Sequence, residues 1–156
     1  MATQYIAGLT TGQVLTAATM NSIGAAWETW TPTWTGATTN PVLGNGTVSG
    51  KYTQINKLVV AQVSYYMGST TTYGSGIWRF SVPITAASHS AYANIGYGRC
   101  YDASATSTYL ITALWDVFDT TRVWLQSHLT GIFASTAPFT WANTDELHFT
   151  IVYEAA

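Results

Sequence analysis

Residues 40–83 constrain the fold most strongly, because turn-forming residues there separate runs rich in β-branched and aromatic side chains. The runs at residues 47–55 and 58–67 are joined only by Asn56 and Lys57, which predicts two antiparallel strands connected by a tight turn. Residues 40–46 and 68–76 are dense in Gly, Asn, Ser and Thr and predict loops. No helical pattern interrupts this stretch, so it is predicted to be entirely β.

Strand-like runs continue to the end of the chain. Trp78, Phe80 and Val82 alternate with other residues and are expected to face the core. Pro32 places the first run at a sheet edge, because proline cannot donate a ladder hydrogen bond. Eight or so strands without intervening helices predict an antiparallel β-sandwich of jelly-roll type. Besides the hairpin, the predicted strands cover residues 30–35, 77–83, 92–102, 108–117, 122–127 and 147–154, with a turn near 118–121.

The first 28 residues have a different pattern. Thr16 can cap a short amphipathic helix, and Leu15 before it can pack on Met20. Two or three helical turns are not stable alone, so this helix is expected to dock on something. The chain therefore divides into an N-terminal attachment segment with a short helix (residues 1–28) and a β-sandwich knob domain (residues 29–156). The apolar stripe of the predicted helix is Ala17, Met20, Ile23 or Gly24, and Trp27.

Charged residues are scarce. Only 8% of the chain is charged, whereas 47% is hydrophobic and 14% aromatic; ordinary soluble domains carry about 25% charged residues. Permanent subunit interfaces have this composition, so an obligate oligomer is expected. The alternative is a monomeric sandwich with a Thr-rich exterior. The net charge of −2 and the scattered Lys and Arg residues form no basic stripe, which argues against nucleic-acid binding.

Other features of the sequence limit location and redox chemistry. The single Cys100 can form no intrachain disulfide and is expected to be a small core residue. No apolar run of about 18 residues and no recognisable export signal is present, so membrane insertion is not expected.

Candidate metal and acid–base groups are sparse. His89, His128 and His148 are far apart in sequence, although folding could bring the last two together. Asp116 and Asp119 flank one turn, and residues 145–146 form an acidic pair in another. Either pair could bind Ca²⁺, but aspartate is common in turns because it binds nearby backbone amides. No metal or other cofactor is predicted.

Catalytic motifs are not recognisable. There is no GxSxG elbow and no Walker A pattern, and the Gly-rich stretches lack the lysine of a phosphate loop. An enzyme is therefore not expected. Exposed tyrosines can stack on sugar rings, although strand aromatics more often lie in a core or a subunit interface. The candidate glycan contacts near loops and strand ends are Tyr73, Tyr92, Tyr101 and Tyr109.

Several linked blocks resemble small β-domains of bacteriophage tail-fibre and minor tail proteins. These blocks are WTPTWT at residues 30–35, NPVLGNGTVSGKYTQINK at 40–57, GSTTTYGSGIWRFSVP at 68–83 and PFTWANTDELHFTIVYEA at 138–155. The preceding segment, GLTTGQVLTAATMNSIGAAW, resembles an N-terminal stretch that recurs at the start of phage tail and virion proteins. Its candidate virion-docking residues are Val14, Leu15, Met20, Ile23 and Trp27.

This resemblance implies a homotrimeric structural protein on the virion surface that attaches to other virion proteins and binds a host surface glycan. The N-terminal segment could instead cap its own β-domain or a threefold axis. One alternative function is a capsid or tail decoration protein that stabilises the particle without recognising a receptor. Another is a glycan-degrading depolymerase that uses Asp116 and Asp119 as acid and base. The resemblance supplies no active-site residues.

Overall fold

In the part of the chain that the structure describes, ten antiparallel strands form one continuous sheet. In this computed structural model, the described residues are 12, 14, 16, 26–90, 93–116 and 119–156. The strands are β1 (Glu28–Trp30), β2 (Trp34–Gly36), β3 (Thr47–Ile55), β4 (Leu58–Tyr66), β5 (Trp78–Ser81), β6 (Asn94–Asp102), β7 (Ser107–Asp116), β8 (Asp119–Ser127), β9 (Gly131–Ile132) and β10 (Glu146–Glu154). The described residues include no helix that could span a membrane.

The sheet is curled, and its two edge strands are consecutive along the chain. The strand order is β1-β3-β4-β10-β6-β7-β8-β5-β2, and β9 pairs with β8. The edge strands β1 and β2 are separated only by residues 31–33. This corner is attached to the sheet interior, because the Tyr65 hydroxyl donates a 3.0 Å hydrogen bond to the Pro32 carbonyl. The Thr33 amide also donates to Ser81 Oγ at 2.9 Å.

The predicted hairpin is confirmed. Strands β3 and β4 pair in uninterrupted register from Thr47 opposite Tyr66 to Ile55 opposite Leu58. Asn56 in the connecting turn has a φ of 54°, a left-handed conformation that asparagine adopts more readily than most residues. The predicted loops at residues 40–46 and 68–76 are also confirmed, and Val42 pairs with Thr72 through two backbone hydrogen bonds.

Aromatic side chains fill the concave face of the sheet. Trp78 and Phe80 are fully buried, as predicted, and Val82 packs against the core from its edge. The Trp34 ring lies 4.6 Å from Trp78 in an edge-on arrangement, and Phe80 lies 5.5 Å from Phe149. Such pairs add specific aromatic contacts to the burial of apolar area. Burial raises the pKa of Cys100 to about 12, so this core residue remains a thiol.

The expected two-sheet sandwich and its jelly-roll order are not confirmed. The all-β antiparallel class is confirmed, but the hydrogen bonds run through a single curled sheet. Gly96 and Gly98 explain how β6 follows this curvature. A Cβ atom on either glycine would lie within 2.1 Å of a β10 carbonyl oxygen, so only glycine permits this approach. A register shift between Asn94 and Gly96 adds to the bend.

The run at residues 30–35 is not one strand. Pro32 lies between β1 and β2, and each of these short strands occupies an edge of the sheet. The edge position predicted from Pro32 is therefore confirmed for both β1 and β2, whereas the prediction of one continuous strand was wrong. The helix predicted in the N-terminal segment lies almost entirely outside the described residues.

Candidate binding groove

A shallow groove crosses the convex face of the sheet over β4, β10 and β6. Alternation places even-numbered residues of β4 and β10 on this face, while their odd-numbered neighbours are buried in the core. The groove has a volume of about 410 Å³. The side chains on its rim and floor are Gln62, Ser64, Tyr97, Arg99, His148 and Thr150.

A chain of polar contacts orders one end of the groove. His148 Nδ1 lies 2.9 Å from Ser64 Oγ, and His148 Nε2 lies 3.0 Å from Glu146 Oε2. The same glutamate oxygen accepts a 3.2 Å hydrogen bond from Arg99 Nη2. The register explains the arrangement, because Ser64, His148 and Arg99 occupy directly opposed positions on three neighbouring strands. Each side chain in the network is therefore held by another.

Exposed aromatic rings flank this network. Tyr97 lies opposite Thr150 and is 73% exposed. Tyr66 is 47% exposed, and its ring meets the His148 ring edge-on at 5.2 Å. Tyr97 thus offers a free ring face to solvent, whereas Tyr66 helps to fix the histidine.

Ser64, His148 and Glu146 also follow the order of nucleophile, base and acid in a hydrolytic triad. A triad needs hydrogen-bond donors for the oxyanion of the intermediate. The backbone of β4 is paired with β3 on one side and with β10 on the other across its whole length. The backbone amides around Ser64 are therefore occupied by the sheet ladders.

The three described tyrosines that were predicted to contact glycan do not converge on one site. Tyr73 is partly buried beside Trp34 and Trp78, and its hydroxyl has no hydrogen-bond partner in the described part of the chain. Burial raises the pKa of this hydroxyl. Tyr109 packs on Phe139 at 5.2 Å. Tyr101 lies on β6 opposite Glu146, beside the network, and Tyr92 lies outside the described residues. Their role in glycan binding stays a prediction.

The acidic pairs have structural partners. Arg79 Nε lies 2.6 Å from Asp116, and Arg122 Nε lies 3.2 Å from Asp119. Asp145 is buried and accepts hydrogen bonds from the amides of residues 103 and 142. Burial raises the pKa of this carboxyl group. Within the described ranges, no group of three or more potential ligand side chains could hold a metal ion.

The two histidines that folding could have joined lie apart. His148 is on β10, whereas His128 follows β8 and approaches the carbonyl of Leu110 on β7. Strands β6 and β7 lie between them in the sheet order, which corresponds to a separation of roughly 14 Å at ordinary strand spacing. His89 stacks on Trp115 with ring centroids 4.5 Å apart.

Two of the candidate virion-docking residues are described. Val14 is 79% exposed, and Trp27, just before β1, is 49% exposed. Leu15, Met20 and Ile23 lie outside the described residues. The assignment of these five side chains to virion docking stays a prediction.

The groove residues were missed by sequence reasoning because they come from three strands that are distant along the chain. Once β4, β10 and β6 are aligned as neighbours, strand alternation alone places Ser64, His148 and Arg99 in one row. Alternation within β6 was also available as a signal, since buried Cys100 implies that Tyr97 points to the opposite face. The missing information was the order of the strands.

The described chain is thus a single-sheet β-domain with an open, polar and aromatic groove. Its sequence is 28% identical over 116 residues to a protein of Haemophilus influenzae (strain ATCC 51907 / DSM 11121 / KW20 / Rd), the "Mu-like prophage FluMu defective tail fiber protein". The match covers 74% of this chain and 18% of that relative. No family model and no solved structure matches. The similarity relates the chain to phage tail-fibre proteins.

Proposed function

We propose that this chain is a structural component of a phage tail, a homotrimeric knob on the virion exterior that binds a host surface glycan. The observation that carries this proposal is the similarity to a tail fibre protein over most of the β-region. The 8% charge content supports an oligomer, because permanent subunit interfaces are poor in charged residues. The open groove supports binding of a small polar ligand.

The knob acts without catalysis in this proposal. A glycan hydrolase needs two carboxyl groups about 5 to 9.5 Å apart across a substrate cleft. Asp116 and Asp119 face each other across the β7–β8 hairpin, and each pairs with an arginine. Neither lines the groove. We therefore assign these aspartates to the stability of the hairpin.

The proposal is tested by locating the chain on intact particles and by competition for host cells. Gold-labelled antibody against this chain should mark the tail, and purified protein should slow phage adsorption in proportion to its concentration. Label spread over the capsid, with adsorption unchanged, would instead identify a decoration protein. In that case particles lacking the chain should lose stability to heat but still adsorb.

The loop at residues 68–76 is a poor target for a deletion test of receptor binding. Thr72 pairs with Val42, and Ser75 pairs with Thr39, so deleting the loop also removes backbone hydrogen bonds to residues 37–46. Point substitutions in the groove separate receptor binding from folding more cleanly.

A further inference from the structure

We propose that the groove over β4, β10 and β6 is a subsite for an uncharged pyranose sugar, stacked on Tyr97. This inference rests on the proposed receptor-binding function and assigns it a place and a ligand class. None of the described residues that line the groove was among the tyrosines predicted from sequence to contact glycan.

Tyr97 supplies the stacking surface. Its side chain stands on the convex face opposite Thr150 and is mostly exposed. One face of a pyranose ring carries C–H groups and is apolar, so an aromatic ring with a free face can cover it. Tyr66 cannot serve in the same way, because its ring already packs against His148.

Polar side chains lie where they can bind the hydroxyl groups of a stacked sugar. Gln62 and Thr150 are directly opposed on β4 and β10, and Tyr97 follows on β6 in the same row. Ser64, His148 and Arg99 form the next row. Neighbouring rows and strands are separated by roughly 5 to 7 Å, so adjacent side chains can reach hydroxyls on opposite sides of one hexose ring. An amide, hydroxyls and a guanidinium together offer both donors and acceptors.

The charges in the groove select an uncharged ligand. Arg99 is paired with Glu146 at 3.2 Å, and no Lys, Arg, Asp or Glu other than Arg99 is among the described residues that line the groove. A sugar carboxylate would gain the arginine only by competing with Glu146 and would meet its negative charge. A neutral hexose can instead accept from Arg99 without breaking that pair. The network through His148 also keeps these groups ordered before binding, which lowers the entropic cost.

The test is a titration of the ¹⁵N-labelled full chain with the methyl glycosides of glucose, galactose and mannose, and with methyl glucuronide as the charged comparison. At least one neutral glycoside should shift the amide resonances of residues 62–64, 97–99 and 148–150. Tyr97→Ala should weaken that binding by about tenfold or more, the loss typical of removing a central aromatic contact. Tyr97→Phe should retain it, because the ring face remains.

Val152→Ala is the matched control, since Val152 is exposed on β10 but does not line the groove. Its affinity for the neutral glycoside should equal that of the wild type. Three results would overturn the inference: no binding of any neutral glycoside, preference for the glucuronide, or unchanged affinity in Tyr97→Ala.

Host-cell competition separates this inference from the wider function. If Tyr97→Ala protein still competes with phage as well as the wild type, the receptor function stands and the groove assignment fails. If the wild-type protein does not compete at all, the receptor function fails even where the groove binds sugar.

Discussion

Individual side chains in this protein have distinct structural roles. Phe80 is fully buried and contacts the rings of Trp34, Tyr65 and Phe149, so it belongs to the core. Asp102 has a local task, because its Oδ1 accepts hydrogen bonds from the Ser104 and Ala105 amides in the β6–β7 turn. These contacts cannot be read from the sequence alone, although the type of residue at each position is consistent with its task.

Phe80→Ala should lower the free energy of unfolding by about 3–5 kcal/mol, the usual cost of removing a buried phenylalanine ring. Leu110→Ala is the control, because Leu110 is 68% exposed on the convex face and its loss should change stability by less than about 0.5 kcal/mol. Urea unfolding at fixed protein concentration measures both. Equal midpoints for the two variants would show that the aromatic cluster does not hold the sheet together.

Asp102→Asn should make the free energy of unfolding fall less as the solution becomes acidic. The Ser104 side chain and the turn amides hold the pKa of Asp102 below its ordinary value of 3.8. The charged form is therefore favoured by folding, and this stability is present above pH 3.8 and is lost as the pH falls through the folded pKa. Asparagine keeps the acceptor at Oδ1 but does not titrate.

Unfolding midpoints measured between pH 2 and pH 6 should thus fall less steeply for Asp102→Asn than for the wild type. Asp119→Asn is a useful comparison, because the pKa of this carboxyl group is also lowered: burial raises it, but hydrogen bonds from Thr121 and the nearby arginines together outweigh that effect. Parallel pH profiles for the wild type and Asp102→Asn would contradict the assignment.

At the scale of strands, local pattern predicted much of the structure. The β3–β4 hairpin was predicted to within one residue, because a run of alternating residues with a two-residue turn has few other conformations. Strands β5 to β8 and β10 were predicted with small shifts at their ends. Sequence could not supply the order of the strands, since many topologies share the same alternation. The bend at Gly96 and Gly98 was missed for the same reason: it depends on which strand lies beside β6.

Gly98→Ala tests that bend. The added Cβ would lie 2.1 Å from the His148 carbonyl oxygen, so β6 and β10 must separate. We expect a loss of about 1–3 kcal/mol, as for other overpacked sites, together with shifted His148 ring resonances. Thr112→Ala on neighbouring β7 is the control and should leave both quantities nearly unchanged. A Gly98→Ala protein as stable as the control would show that the curvature does not require glycine here.

At the scale of the whole molecule, the low charge content and the exposed apolar side chains bear on where subunits of an oligomer would contact each other. Exposed Tyr97, Leu110 and Val152 share the convex face of the sheet with few charges. The groove must stay open if it binds sugar, so the subunit contacts of a trimer have to lie on other surfaces. Similarity to a tail fibre protein is consistent with a component of an assembled particle.

Sedimentation equilibrium should give a mass three times the 16.8 kDa of one chain. The mass should persist on dilution, because permanent interfaces that bury weakly charged surface are large and apolar. Arg122→Ala provides a folded comparison in which only an exposed ion pair on β8 is lost. A concentration-independent mass of one chain would contradict the trimer and favour the Thr-rich monomer.

The position of β10 has a consequence for the order of folding. This strand joins β4 to β6 at the centre of the sheet, yet it comes after the other nine described strands in sequence. Strands β1, β3 and β4 therefore form one half of the sheet, and β6 to β8 with β5 and β2 form the other. Among the described residues, only the strand at residues 146–154 connects the two halves by ladders. Such long-range pairing closes large loops and is intrinsically slow. During synthesis β10 emerges after the other nine described strands, and until then the two halves expose open edges that a chaperone or a neighbouring chain could occupy.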